Sequence, residues 1–423
     1  MSNLLTRQRG TADIYYEYSD EINAIVKHCY KIAHKYSYTN IETPIFESKS
    51  LFVRSVGETT DVVHKELYEF KDKGDREIAL RPEGTASVIR AIIENKLLQK
   101  YQNPLKLCYY GPMFRYERPQ SGRLRQFHQF GIECINSKTY NDDLEVLIFA
   151  YDIINELGIK DVYISINNIG NITTRTKWVK ALSKYFEKYH DQLTEDSINR
   201  INTNPLRILD DKIDAQKDFV KNAPSIDKFL SNEEIDYFDK IISGLKKQNV
   251  HFKIDKTLVR GLDYYTNFVF EIKSNSPKLA AQSTLIGGGR YNNLVEMLGG
   301  PKDTYCVGFA GGIERIAIAL RLEGIKLGDK KYTKVLVASL NEVCDSYCFD
   351  IMKLLRKCKI EVHSNFNTHK IKNHLHYANK NNIDFIAIIG EDELKQKTVM
   401  LKNLHTFKQE SVKLNLLVKE IKK

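Results

Sequence analysis

Arginines, carboxylates and glycines gather in residues 105–135, LKLCYYGPMFRYERPQSGRLRQFHQFGIECI. Two apolar-rich runs flank the polar loop RPQSGRLR, which predicts two antiparallel strands joined by a long loop. Residues of one parity share a strand face. His128, Phe130, Ile132 and Cys134 make one mostly apolar face. If the odd positions of the two runs align, Arg115, Gln129 and Glu133 share the other, with Gly111 and Gly131 between them. Glycine inside a strand often marks a place where a ligand comes close. Such a floor suits a small charged substrate. A half-solvated strand face fits the pattern equally well, because antiparallel sheets often meet water on one side.

Three further stretches carry charged groups at turns or helix starts. In LRPEGT a strand turns into a helix; Thr85 is placed to N-cap that helix, and Glu83 to benefit from its dipole. In LVRGLDYYT, Arg260 and Gly261 form a loop before an alternating strand, and either a loop-delivered cation or a plain surface arginine fits. In CVGFAGGIER, Arg315 falls in the first turn of a helix, where a cation is disfavoured by about 0.3–1 kcal/mol. A bound anion there or an ion pair with adjacent Glu314 accounts for it. The run STLIGGGRYNN predicts three glycines ending a strand, able to let a nucleotide approach backbone. Neither GxGxxG nor GxxxxGK[ST] occurs, so a phosphate would be held by arginines.

GPMFRYERPQSGRLRQFHQFGIE resembles the second signature motif of class II aminoacyl-tRNA synthetases, most closely that of the histidyl-tRNA synthetase family. GFAGGIER resembles the third class motif, and RGLDYYT a signature peculiar to the histidine-specific family. YTNIETPIFESKSLFVRSVGET, interrupted by Pro44, resembles the first motif, which builds a dimer interface. The resemblance implies an α+β catalytic domain on a mainly antiparallel sheet over residues 1–325, a helical insertion at 171–248 and an α/β anticodon-binding domain at 331–423. It implies ATP-dependent activation of L-histidine to histidyl-adenylate with release of pyrophosphate, then transfer to the 3′ end of the histidine tRNA. Arg115 and Arg260 would hold the α-phosphate, with Arg123 and Arg315 on the outer phosphates and Mg2+ on the β- and γ-phosphates. Glu83, Gly84, Thr85 and Gln129 match positions near the amino group, and Glu133, Tyr264 and Tyr265 those that meet the imidazole. Gln120 is a candidate for reading the tRNA's extra 5′ nucleotide. A carboxylate attacking a polyphosphate needs cations to screen the transition state, and guanidinium offers paired donors that stay charged.

Two other classes are open. A non-catalytic regulatory subunit of the phosphoribosyltransferase that opens histidine synthesis resembles the catalytic core, but such proteins usually lack the full histidine motif and the C-terminal domain. A nucleic-acid-binding module would rest on the basic tail alone.

The elements that must position these residues are legible in outline. Ile22, Ile25, Val26, Cys29, Ile32 and Ala33 give residues 18–35 a helical stripe. Residues 142–158 predict a helix ending at Gly158, VYISINNIG a strand, and 171–248 a charged, mostly helical segment without a readable motif. Thr266, Phe268, Phe270 and Ile272 alternate as one strand face. In the tail, KVLVASL, IEVHSN, FIAIIG and KTVMLKN predict strands and 342–357, 370–382 and 412–423 helices, an α/β layer with mainly parallel strands.

Composition bounds the rest. The 423 residues are 42% hydrophobic, enough for two or three globular domains. No apolar run reaches membrane length, and MSNLLTRQRGTADIYY lacks a signal-peptide core, so a cytoplasmic protein is expected. Seven scattered cysteines without a CxxC pair suit reduced thiols, and Cys344 with Cys348 make at most half a zinc site. His369, His374 and His376 read as surface helix residues. Of the net charge of +10, residues 331–423 contribute seven, with 17 Lys and Arg against 10 Asp and Glu. That surplus fits a polyanionic partner or a lysine-rich solvated surface.

Overall fold

The computed structural model describes residues 5–57, 60–209, 211, 213–279, 283–327 and 332–422, with the backbone alone for Asp61. Glu58 and Thr59, at the end of the VGET run, and Lys331, where the tail was expected to begin, lie outside the described residues. The chain divides into two compact units, Met1–Leu327 and Gly328–Lys423.

The first unit contains β1 (Thr39–Asn40), β2 (Phe46–Ser48), β3 (Glu69–Lys71), β4 (Glu77–Leu80), β5 (Leu105–Phe114), β6 (Gln126–Ile135), β7 (Val162–Gly170), β8 (Phe252–Ile254), β9 (Thr266–Ser274), β10 (Thr284–Arg290) and β11 (Cys306–Gly312). Eight of them form one sheet in the order β1-β5-β6-β11-β10-β9-β7-β8, antiparallel except at its two short edge strands. The central hairpin pairs Gly111 with Gln129 and Leu107 with Glu133, so the odd positions of both strands share a face. The even face carries Cys108, Phe130, Ile132 and Cys134 into a core completed by Ile22, Ile25, Cys29, Ile32 and Ala33 of the Tyr16–Lys35 helix. The odd face is buried too, against a second core holding Tyr109, Met113, Tyr264, Tyr265 and Tyr291. A half-solvated face is therefore ruled out for the Glu133 end of the hairpin.

Several local expectations change. Gly287, Gly288 and Gly289 lie inside β10, not at its end. Their missing side chains are needed: a Cβ on Gly288 would strike the backbone of β11, and one on Gly287 would strike the Arg260 guanidinium. Thr85 does not N-cap the Thr85–Glu94 helix; the Glu83 carboxylate accepts from the Thr85 and Ala86 N–H groups at 2.7 and 2.8 Å. The Tyr140–Glu156 helix starts with a capping box of Thr139 and Asp142. Asp143 in its first turn makes a wholly buried pair with Arg290, whose guanidinium also donates to Ser137 O at 2.8 Å. Breaking one partner of such a pair costs about 3–5 kcal/mol, so this arginine of the GGGR run serves the fold. β2, β4 and β3 form a small antiparallel sheet beside it, with Pro44 just before the edge strand β2.

The second unit is built on β12 (Lys334–Ser339), β13 (Glu361–Ser364), β14 (Phe385–Ile389), β15 (Thr398–Asn403) and β16 (Gln409–Lys413), in the order β13-β12-β14-β15-β16. Two pairings are parallel and two antiparallel, so the sheet is mixed and not mainly parallel. The helix expected over 412–423 shrinks to Leu417–Ile421, because Gln409–Lys413 closes a hairpin with β15 and buries Val412. Cys344 and Cys348 are buried in the core under the Asp345–Lys357 helix. The three histidines part company. His374 is fully buried with Nε2 against Ser339 O at 3.2 Å, His369 reaches the same carbonyl at 3.3 Å, and only His376 is exposed.

Candidate active site

Four arginines from three separate parts of the chain line one cavity of about 1010 Å3 in the first unit. Arg115 and Arg123 enter from the hairpin loop, Arg260 from the loop before β9, and Arg315 from the first turn of the Ile313–Leu322 helix. Each is aimed by a fixed partner. Arg115 Nε donates to Pro82 O at 2.9 Å, and Arg123 Nε meets Glu117 at 2.7 Å. Arg315 donates to Gly122 O at 3.1 Å and Thr284 O at 3.2 Å. Arg260 pairs with Glu271 and lies over Gly287, while its buried Nε has no hydrogen-bond partner.

The electrostatics favour an anion. Burial pushes the Arg315 guanidinium below its ordinary range, and the like charges of Arg123 and Arg115 push it further. Burial also works against Arg260, but Glu271, Tyr265 and Tyr264 more than offset it. A polyphosphate entering the cavity would relieve the mutual repulsion of the arginines. Glu314 does not pair with Arg315; it accepts from His128 N at 3.0 Å and meets Nδ1 at 2.8 Å, tying the helix to β6. The arginine at a helix N-terminus is thus left facing the cavity.

The remaining expected residues form a second cluster. Gln129 lines the cavity, and its buried Oε1 is an acceptor without a partner. Glu83, Thr85, Glu133, Tyr264 and Tyr265 are buried and do not line that cavity. Glu133 is their hub, accepting from Thr85 Oγ1 at 2.7 Å, Tyr109 OH at 3.2 Å and Tyr291 OH. Burial pushes its carboxyl up to about 8, against the pull of the Tyr291 and Thr85 hydroxyls. Glu83 is raised as well, first by burial. Tyr264 packs on Tyr265 and Tyr291 with ring centroids 4.6 and 5.5 Å apart. Glycines make the room: a Cβ on Gly84 or Gly131 would strike Tyr109, and one on Gly308 the Glu133 carboxylate. Gln120 stands apart, exposed in the hairpin loop and bridged by backbone to Arg123.

Sequence reasoning missed Tyr109, Tyr291, Glu117 and Glu271. Tyr109 shares the odd parity of Glu133 and was available from the alternation alone. Glu117 shares the parity of Arg115, yet neither it nor Glu271 was assigned a role, because a carboxylate in a cationic cavity runs against the expected charge. Arg200 and Arg207, from the 171–248 segment, also line the cavity.

Comparison with known proteins gives one consistent result. A family model described as histidyl-tRNA synthetase matches residues 10–316, and one described as an anticodon binding domain matches 334–423. Curated histidine–tRNA ligases of Malacoplasma penetrans and Clostridioides difficile are 47% and 44% identical, over 99% and 98% of this chain and 98% of their own lengths. The crystal structure of apo histidyl-tRNA synthetase of S. aureus is 36% identical, covers 99% of this chain and all of its own, and superposes with a TM-score of 0.83. A Bacillus halodurans structure described as an ATP phosphoribosyltransferase regulatory subunit/histidyl-tRNA synthetase, at 20% identity and a TM-score of 0.64, shares the fold alone.

Proposed function

The chain belongs to the histidyl-tRNA synthetase family and ligates histidine to tRNA, and we propose that its convergent arginines carry the ATP-dependent first step. The carboxylate of histidine attacks the α-phosphorus of ATP, forming the mixed anhydride and expelling pyrophosphate. The terminal ribose hydroxyl of the tRNA then attacks the histidyl carbonyl, AMP leaves, and the hydroxyl proton passes to solvent. Arg115 and Arg260 hold the α-phosphate, and Arg123 and Arg315 the outer phosphates. Catalysis is then positioning and charge stabilisation, with no general base required of the protein.

The observation that carries this reading is the meeting of Arg115, Arg123, Arg260 and Arg315 at one cavity beside two buried groups without partners, Arg260 Nε and Gln129 Oε1. A donor and an acceptor left open in the same wall suit an α-phosphate and an ammonium. Glu83 and Thr85 complete the ammonium side, where Gly84 lets the chain turn against Tyr109. Glu133 would exchange a hydroxyl partner for the imidazole, flanked by Tyr264 and Tyr265. A carboxyl that keeps its proton to about pH 8 can both donate and accept, matching a ring with one nitrogen of each kind. Apolar analogues would leave these groups unpaired and be rejected.

Among the described residues no group of three His, Cys, Asp or Glu is disposed to hold a metal. Mg2+ needs only one or two carboxylates when phosphates supply the rest, and Glu117 and Glu271 of the cavity wall fit that role. The ion would neutralise charge on the outer phosphates; exchange that persists in excess chelator rejects it. Residues 1–325 act as the catalytic domain with 171–248 inserted, and 331–423 as the domain that reads the anticodon. A cytoplasmic homodimer is the working form. Gln120, exposed on the hairpin loop, is left to the tRNA acceptor end. The likeness to curated histidine–tRNA ligases over the whole chain supports the ligase and not the regulatory-subunit alternative.

Histidine-dependent exchange of pyrophosphate into ATP tests the reading. Arg260→Ala should lower the exchange rate about 10²–10³-fold, the usual cost of one transition-state contact. Exchange at the wild-type rate would sink the assignment.

A further inference from the structure

Arg175 belongs to no motif and does not line the cavity. It sits near the start of the Ile172–Phe186 helix, which opens the 171–248 segment, with its side chain 18% exposed. Nη1 donates to Asp263 O and to Tyr265 O, each at 2.9 Å, and Nη2 meets Asp263 Oδ1 at 3.3 Å. Asn204 Nδ2 reaches the same carboxylate oxygen at 3.5 Å. The Arg207 guanidinium lies 2.9 Å from where a Cβ on Gly261 would stand. Two side chains of one helical segment therefore hold the stretch from Arg260 to Tyr265 at Asp263 and Tyr265, and a third, Arg207, stands close over Gly261. That stretch has no regular structure of its own, and Asp263 N donates to Val56 O at 3.1 Å on another side.

We propose that Arg175 is a positioning residue for activation, fixing through Asp263 and Tyr265 the loop that delivers Arg260 to the reacting phosphate. This rests on the reading of Arg260 given above. The two carbonyls that Arg175 holds lie on either side of Tyr264, so one guanidinium sets both the phosphate side and the tyrosine side of the site. The fork geometry matters: a lysine has one point charge and cannot span two carbonyls and a carboxylate in the same way. The helical segment is thereby built into the activation step itself. Displacement of a reacting group by about 1 Å can cost about 10²-fold in rate, without a direct contact being lost.

The test is a double-mutant cycle on the full chain, read by histidine-dependent pyrophosphate exchange, with Arg175→Ala and Arg260→Ala singly and together. Arg175→Ala should lower kcat about 10²-fold with the KM for ATP changed less than about threefold, because the lost geometry matters most in the transition state. In the Arg260→Ala background it should cost less than about threefold more. Arg175→Lys should recover less than about a tenth of the lost rate. Asp263→Asn, which keeps the shape and the backbone contacts, should show the same non-additivity at about tenfold, and it carries the test if Arg175→Ala fails to fold. Equal losses in both backgrounds, or an unchanged rate, overturn the proposal. A loss from Arg175→Ala with none from Arg260→Ala overturns the Arg260 reading and the coupling with it.

Discussion

Glu133 is buried and holds three hydroxyl donors, and its titration reports on all of them. Its carboxyl rises from the ordinary 4.5 to about 8, first through burial. A folded state that keeps a proton longer than the unfolded one is most stable below pH 4.5 and loses that advantage as pH rises through 8. A glutamine cannot titrate. Glu133→Gln should therefore gain on the wild type as pH climbs from 5 to 8, by up to about 1.4 kcal/mol per unit. Urea midpoints at pH 5, 6.5 and 8 check this; parallel curves would mean that Glu133 is already ionised in the fold. Residue types alone pointed to Arg115, Gln129 and Glu133, because parity put them on one face. They could not show that Glu83, and not Thr85, accepts from the first helix N–H groups, since that depends on the residue at which the helix starts, or that Glu314 turns to His128, since that depends on where a helix meets a distant strand.

At the scale of elements, the small sheet of β2, β4 and β3 is unfinished. Pairing puts Phe46 opposite Leu80 and Phe70 opposite Ile78, so all four share one face. Phe46 is 56% and Phe70 49% exposed, while Ala79 on the other face is buried under Leu51 and Phe52. An apolar sheet face of this kind, whose edge strand β2 lies in the stretch that resembles a dimer-forming motif, fits a second copy of the chain. Sedimentation should find a dimer at micromolar concentration, and Phe70→Asp should weaken it at least about tenfold, the equivalent of 1.4 kcal/mol. A monomeric wild type, or a variant that dimerises as well, would place the interface elsewhere. Long, strongly patterned elements were legible in the sequence: the hairpin, the Tyr16–Lys35 helix and β9. The glycine run was not, because glycines in β10 signal close approach by Arg260 and β11, and that crowding is set by tertiary contacts. Gln409–Lys413 was missed for the opposite reason: five mostly polar residues become a strand only because β15 is there to pair with.

At the scale of the whole molecule, each unit has its own core. The second unit buries Val335, Val337, Ile351 and Leu355 on one side of its sheet and Leu336, Ala338 and Ile386 on the other. The two-part organisation, with a break expected between residues 325 and 331, was read from the change of period and charge there, although no Pro- or Gly-rich linker marks it. The four arginines assigned to the phosphates belong to the first unit, as do Arg200 and Arg207, and none of the residues assigned to histidine comes from the second. Activation should therefore survive removal of the second unit, while transfer to tRNA should not. A chain ending at Leu327 is expected to retain pyrophosphate exchange within about threefold, since each unit packs its own core. Its charging of tRNA at low concentration should fall at least about 10²-fold, as the segment similar to an anticodon binding domain, with seven of the ten net positive charges, is gone. In the full chain the charging step, and not the exchange, should weaken as salt rises, because displaced counterions favour binding only at low salt. Loss of exchange in a truncated chain that still unfolds cooperatively would show that the second unit takes part in activation, and the division of labour between the units would have to be abandoned.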